Sequence, residues 1–142
     1  VIIINKLHVY TDASTSQNSR YAGIAFIIVD YKHHKILYKQ GKTIQSKSNN
    51  RSELIAVIEA VRYITTNYMY IKKVVIFSDN KWTVNCLTGF WTPRKHLELF
   101  DEYESLVSNS NTNFCITWIK GHNGNIYNIE ADNLAKLYRR NL

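Results

Sequence analysis

Between residues 51 and 68 the apolar side chains Leu54, Val57, Ile58, Val61 and Ile64 recur at intervals of three and four, the spacing of one helix face. The segments on either side keep a different period. Gly23–Val29 is an almost unbroken apolar run, and Lys72–Ser78 holds a second one, Val-Val-Ile-Phe. Both have the pattern of strands covered on two faces. A helix lying between two strands calls for a crossover connection, which brings parallel neighbours into one sheet. The rest of the chain fits around that unit. Lys6–Thr11 alternates up to Asp12, and Lys35–Gly41 alternates more weakly and pairs back through Asp30–His34 as a hairpin. Ser14–Arg20 is polar and turn-like, and Ser46–Asn50 is a polar loop able to cap the long helix. Asn80–Leu87 and Lys95–Val107 read as helices separated by the break at 89–93; Phe114–Ile119 is a strand, Gly121–Gly124 a loop and Asn128–Arg140 a last helix. The order β-β-β-α-β-α-α-β-α predicts an α/β fold. Its mixed five-stranded sheet is a three-strand antiparallel meander extended by parallel strands and flanked by helices.

At 142 residues the chain is expected to be one domain, 1–142, large enough for a single core. No apolar stretch approaches the ~20 residues of a membrane span, and Val1–Ile4 is too short for a signal segment. The missing initiator Met points to a trimmed chain or a domain cut from a longer one. Cys86 and Cys115 lack metal or redox spacing and read as small apolar residues of an intracellular protein, cytoplasmic or nuclear, in a reducing compartment. The net charge is +7. Acid is concentrated in two places: a cluster at Glu98, Asp101, Glu102 and Glu104, and four acids that recur in distinctive local contexts. A basic surface around an acidic focus suits a polyanionic substrate and a metal site.

Those four acids are Asp12 in Val-Tyr-Thr-Asp-Ala-Ser, Glu53 in Asn-Asn-Arg-Ser-Glu-Leu, Asp79 in Val-Ile-Phe-Ser-Asp-Asn, and Asp132 in Asn-Ile-Glu-Ala-Asp-Asn-Leu-Ala. Asp12 and Asp79 end apolar strand patterns, Glu53 falls in the expected first turn of the long helix, and Asp132 falls early in the last helix. Strand ends and their loops are where α/β sheets gather chemistry. Four carboxylates brought together repel and raise each other's pKa. Divalent metal relieves that repulsion, and hard oxygen ligands suit Mg²⁺.

Taken jointly, these motifs resemble type 1 ribonuclease H, colinearly and over essentially the whole chain. The resemblance rests on Tyr-Thr-Asp-Ala-Ser at 10–14, Asn-Asn-Arg-Ser-Glu-Leu-Ile-Ala at 49–56, Phe-Ser-Asp-Asn at 77–80, Trp-Ile-Lys-Gly-His-Asn-Gly at 118–124, and Asn128 with Asp132-Asn-Leu-Ala. It implies endonucleolytic hydrolysis of the RNA strand of an RNA–DNA hybrid by two Mg²⁺ ions, with Mn²⁺ as an alternative. Asp12 would bridge the ions, Glu53 and Asp79 complete one, and Asp132 the other. His122 would assist at the activated water or in product release. The resemblance places Ala13, Ser48, Asn49, Asn50, Phe90, Trp91 and Lys120 at the substrate, with Lys81, Arg94 and Lys95 as further phosphate contacts. Asn49 and Asn50 would reach minor-groove edges and 2′-hydroxyls, the group that separates RNA from DNA.

Several positions depart from the family pattern. Ala13 stands for a usual Gly, Asn80 for a usual Ser, His96 near a usual Asn, and Ile129 for a usual Glu. Thr88–Leu97 is too short for the basic protrusion helix of many members, so another domain, a partner or the general basic surface is expected to supply substrate grip. None of these changes touches a metal ligand. Other readings are the nuclease domain of a reverse transcriptase, a catalytically idle nucleic-acid-binding module, and a DNA-cutting relative. Four costly carboxylates argue against idleness, and the Asn49-Asn50 and His122 loops argue against a DNA cutter.

Overall fold

The computed structural model describes residues 4–121 and 124–140. Nine elements follow in order: β1 (Lys6–Ser14), β2 (Tyr21–Asp30), β3 (Lys35–Gln45), α1 (Asn49–Asn67), β4 (Lys73–Ser78), α2 (Lys81–Leu87), α3 (Leu97–Ser108), β5 (Asn113–Trp118) and α4 (Ile126–Arg139). The strands form one sheet in the order β3-β2-β1-β4-β5. The first three pair antiparallel, while β4 lies parallel to both β1 and β5. The expected meander and parallel extension are both present.

Two layers cover the sheet. Leu7, Val9, Val74 and Ile76 point to one face and join Leu54, Val57, Ile58, Val61 and Ile64 of α1, with Tyr103 of α3. Tyr10, Ile27 and Val29 point to the other and pack with Ala131 of α4. The central strands are buried on both sides, which accounts for the unbroken apolar run in β2. The edge strand β3 is half-exposed along its length, which accounts for its weaker alternation.

Several boundaries differ from the sequence expectation. Strand β1 continues through Asp12 to Ser14, because Asp12 pairs with Ala25 and Ser14 with Gly23 through the backbone, whatever their side chains. Strand β3 likewise runs past Gly41 to Gln45. Helix α1 starts at Asn49, capped by Ser48, whose hydroxyl oxygen accepts from Arg51 N–H at 3.1 Å. Glu53 therefore sits in its second turn. Helix α4 starts at Ile126, where Asn125 Oδ1 accepts from the N–H groups of Tyr127 and Asn128, and Lys136 and Arg139 complement the dipole at its far end. Helix α3 begins at Leu97 rather than Lys95, after His96 in the left-handed region at φ 59°. Residues 88–96 join α2 to α3 without a helix of their own.

Helix α4 lies unusually close to β2 at Gly23. A Cβ there would stand 1.9 Å from the Ala135 carbonyl oxygen and 2.5 Å from Arg139 N. Both obstacles are backbone, so no rotamer change relieves them. Gly23→Ala is expected to destabilise the protein by ~3 kcal/mol, the upper end for overpacking, read as a lower urea midpoint at unchanged slope. A loss under half that size would mean α4 slides without cost. Helix α4 carries Asp132, so its seating on Gly23 also sets where that carboxylate stands.

Candidate active site

Parallel pairing of β1 with β4 builds the site. The last registered pair is Tyr10 with Phe77. Two residues further on lie Asp12, still in β1, and Asp79, just past the end of β4. Glu53 arrives from α1, on the buried face that runs from Ser52 to Ile64. Ligand oxygens of Asp12, Glu53 and Asp79 all lie within 4.8 Å of one another. Asp12 is 4 % exposed and Glu53 3 %.

Burial dominates the electrostatics. It raises the Asp12 carboxyl to about 7, with the Asp79 charge adding to the rise and Asp132 contributing less. Burial also pushes Glu53 well above the usual carboxylate range, with Asp12 and Asp79 reinforcing it. A hydrogen bond links the two carboxyls, and both are held above the usual carboxylate range. Glu53 Oε2 is buried and has no hydrogen-bond partner among the described residues. A buried acceptor without a donor is costly. An all-oxygen donor set with an unsatisfied oxygen at its centre fits a hard divalent cation.

Neighbouring groups pin the ligands. Ala13 N–H donates to Asp12 Oδ1 at 2.9 Å. The Trp118 indole donates to the Asp79 carbonyl at 3.1 Å, and Lys81 Nζ lies 4.8 Å from the same ring. A Cβ on Gly121 would come 2.9 Å from Asp79 Oδ2, so a side chain there would push that carboxylate aside.

Asp132 stands apart from the three. Its Oδ2 pairs with Lys136 Nζ at 2.9 Å, one turn on along α4. Its charge adds the smallest contribution to the rise of the Asp12 carboxyl. Asn128, one turn earlier, is buried with Oδ1 lacking a partner among the described residues. The spacing of Asp132 and Lys136 was visible in the sequence, but their pairing was not among the expectations.

A cavity of about 570 Å³ is lined by Ser48, Asn50, Trp82, Trp91, Arg94 and Lys95, among others, and by none of the three carboxylates. Ser48 serves it while also capping α1. Asn49 is exposed and Asn50 half-buried; both lie in the first turn of α1 rather than in the preceding loop. Phe90 is 78 % exposed and Trp91 46 %, so neither is spent on the core. Lys120 is exposed. Ala13 is buried, with its side chain against Ile24 and Ala56, and offers only backbone to a ligand. His122 lies outside the described residues. Trp82 and Thr92 join the cavity lining without having been expected there; no local pattern marks them.

A β3-β2-β1-β4-β5 sheet with carboxylates meeting beside its central parallel pair defines the RNase H-like fold class. The RNase H family model matches residues 5–139. A curated protein named Ribonuclease H from Ehrlichia canis is 34 % identical over 142 residues, covering 94 % of each chain. The N-terminal RNase H domain of a Mycobacterium tuberculosis protein superposes with TM-score 0.81 at 20 % identity, over 94 % of this chain and 93 % of that one. LC11-RNase H1, solved in complex with an RNA/DNA hybrid, superposes with TM-score 0.82 at 21 % identity, over 94 % and 96 %. The chain belongs to the RNase H family, and it is a ribonuclease H enzyme. Among the described residues no helix is long and apolar enough to cross a membrane.

Proposed function

We propose that this chain, acting as one domain, cuts the RNA strand of RNA–DNA hybrids endonucleolytically. The carrying observation is the convergence of Asp12, Glu53 and Asp79 within 4.8 Å, with the unpartnered Glu53 Oε2 inside it. Asp12, Glu53 and Asp79 would hold divalent cation, and Asp132 would complete a second position once released from Lys136. Two Mg²⁺ ions bound there would supply an activated water and neutralise charge on the leaving 3′ oxygen.

The chain's own residues do the remaining work. Asn49 and Asn50 meet minor-groove edges and 2′-hydroxyls of the RNA. Ser48, Arg94 and Lys95 bind phosphate. Phe90 or Trp91 stacks on a sugar of the DNA strand, and Lys120 and Lys81 contribute positive charge near the cluster. Trp118 holds the backbone that carries Asp79. His122, by its place in the motif, moves a proton at the attacking water or helps product leave. With no helix in residues 88–96, grip rests on these contacts and on a further domain or partner.

The test is an end-labelled hybrid set beside single-stranded RNA, double-stranded RNA and double-stranded DNA, each with Mg²⁺, Mn²⁺ or EDTA. Cutting is expected only in the RNA of the hybrid and only with metal. Robust cutting in EDTA, or equal cutting of single-stranded RNA, would overturn the reading.

A further inference from the structure

We propose that Asn80 is a positioning residue that locks the Asn50 amide with its NH₂ group facing the substrate groove, making that contact a donor alone. The proposal rests on the hybrid-cutting reading above and adds a residue that the reading does not use. The orientation follows from a chain of hydrogen bonds. Asn80 caps α2, and the side-chain atom facing Thr83 N–H lies 2.8 Å away. A backbone N–H can only donate, so that atom is the oxygen. The other end of the Asn80 amide is therefore NH₂, and it lies 3.0 Å from the Asn50 side chain. Two NH₂ groups facing each other would repel, so Asn50 turns its oxygen inward to Asn80. Its own NH₂ is left for the cavity that Asn50 lines with Trp91, Arg94 and Lys95.

This orientation has a consequence for recognition. Purine N3 and pyrimidine O2 are acceptors found in the minor groove of every base pair, and only the guanine N2 amino group is a donor there. A 2′-hydroxyl can accept as well. Asn50 presenting donors alone thus suits any sequence, and guanine N2 is the one group it opposes. Without its partner the amide would flip freely and spend part of its time with oxygen outward.

The experiment compares Asn80→Ser, Asn80→Asp, Asn50→Ala and the double variant Asn50→Ala/Asn80→Ser in steady-state cleavage. Serine and aspartate both cap helices well, so α2 keeps its start, but neither has an NH₂ for Asn50. Asn80→Ser is expected to raise KM roughly fivefold, the size of one ordinary hydrogen bond, with kcat within about twofold. In the Asn50→Ala background the same change should do nothing more. Asn80→Asp should pull the Asn50 NH₂ inward and expose its oxygen. Replacing guanosine by inosine in the hybrid, which deletes only the N2 amino group, should then raise KM for Asn80→Asp and leave it unchanged or lower for the wild type. In the free protein, the Asn80 side-chain amide protons should exchange slowly with solvent, and lose that protection in Asn50→Ala. A kcat loss with unchanged KM in Asn80→Ser, additive effects in the double variant, or unprotected Asn80 amide protons would each overturn the proposal. A wild type that cuts no hybrid defeats the functional reading instead, and amide exchange still decides the Asn50–Asn80 lock.

Discussion

Asp79→Asn is expected to lower hybrid cleavage by at least ~10³-fold while leaving the fold intact. The substitution keeps shape and removes one anionic ligand from the cluster with Asp12 and Glu53. Divalent metal contributes several kcal/mol of charge stabilisation in the transition state, and each 1.36 kcal/mol is a factor of ten in rate. The same charge also raises the carboxyls of Asp12 and Glu53. Removing it relieves repulsion within the metal-free protein and between the site and an approaching phosphate. The variant should therefore melt no lower than the wild type without metal, and bind hybrid at least as tightly in Ca²⁺. Single-turnover cleavage with a parallel melting curve makes the comparison. Near-normal turnover would mean that Asp79 is no metal ligand.

A second large effect is expected in the pH dependence of stability without metal. Asp12 titrates at about 7 in the folded chain against an ordinary 3.8, so between these values the folded state holds more protons than the unfolded one. Stability then falls as pH rises through that window and is flat above it. Glu53 is raised too and acts with the same sign. From Asp12 alone the loss is on the order of 4 kcal/mol, at 1.36 kcal/mol per unit. Divalent cation binds the deprotonated carboxylates and stabilises by mass action, so the melting rise on adding Mg²⁺ should be larger at pH 8 than at pH 5. The clean comparison is wild type against Asp12→Asn without metal, because the pair cancels the titration of other groups such as Asp30, whose carboxyl bonds to His33. The wild type should lose ground to the variant as pH rises from 4 to 7. An unchanging gap, or an equal metal effect at both pH values, would show that the cluster is not strained by its own charge.

The physical origin of both effects was partly legible in the linear chain. Four acids stood in recognisable contexts, and the periods around them were local: three-and-four spacing for α1, unbroken apolar runs for β2 and β4, a serine before α1 and an asparagine before α2. Such signals depend on residues within one or two turns of each other, which is why element type and order could be read directly. Boundaries set by pairing were less visible. Asp12 and Ser14 look like the end of a strand, yet β1 carries through them because β2 supplies backbone partners.

By itself the sequence determined which elements form and that they assemble as a meander with parallel additions, and it singled out four acids as candidates for chemistry. Only the tertiary structure decided that Asp12, Glu53 and Asp79 share one buried pocket while Asp132 is turned to Lys136. It also decided that Trp118 supports Asp79, that Phe90 and Trp91 stay in solvent, and that Asn80 orients Asn50. Each of these depends on distances between residues far apart in the chain. They are set by the β1–β4 register, the seating of α4 on Gly23 and the entry angle of α1, none of which leaves a periodic trace in the residues concerned.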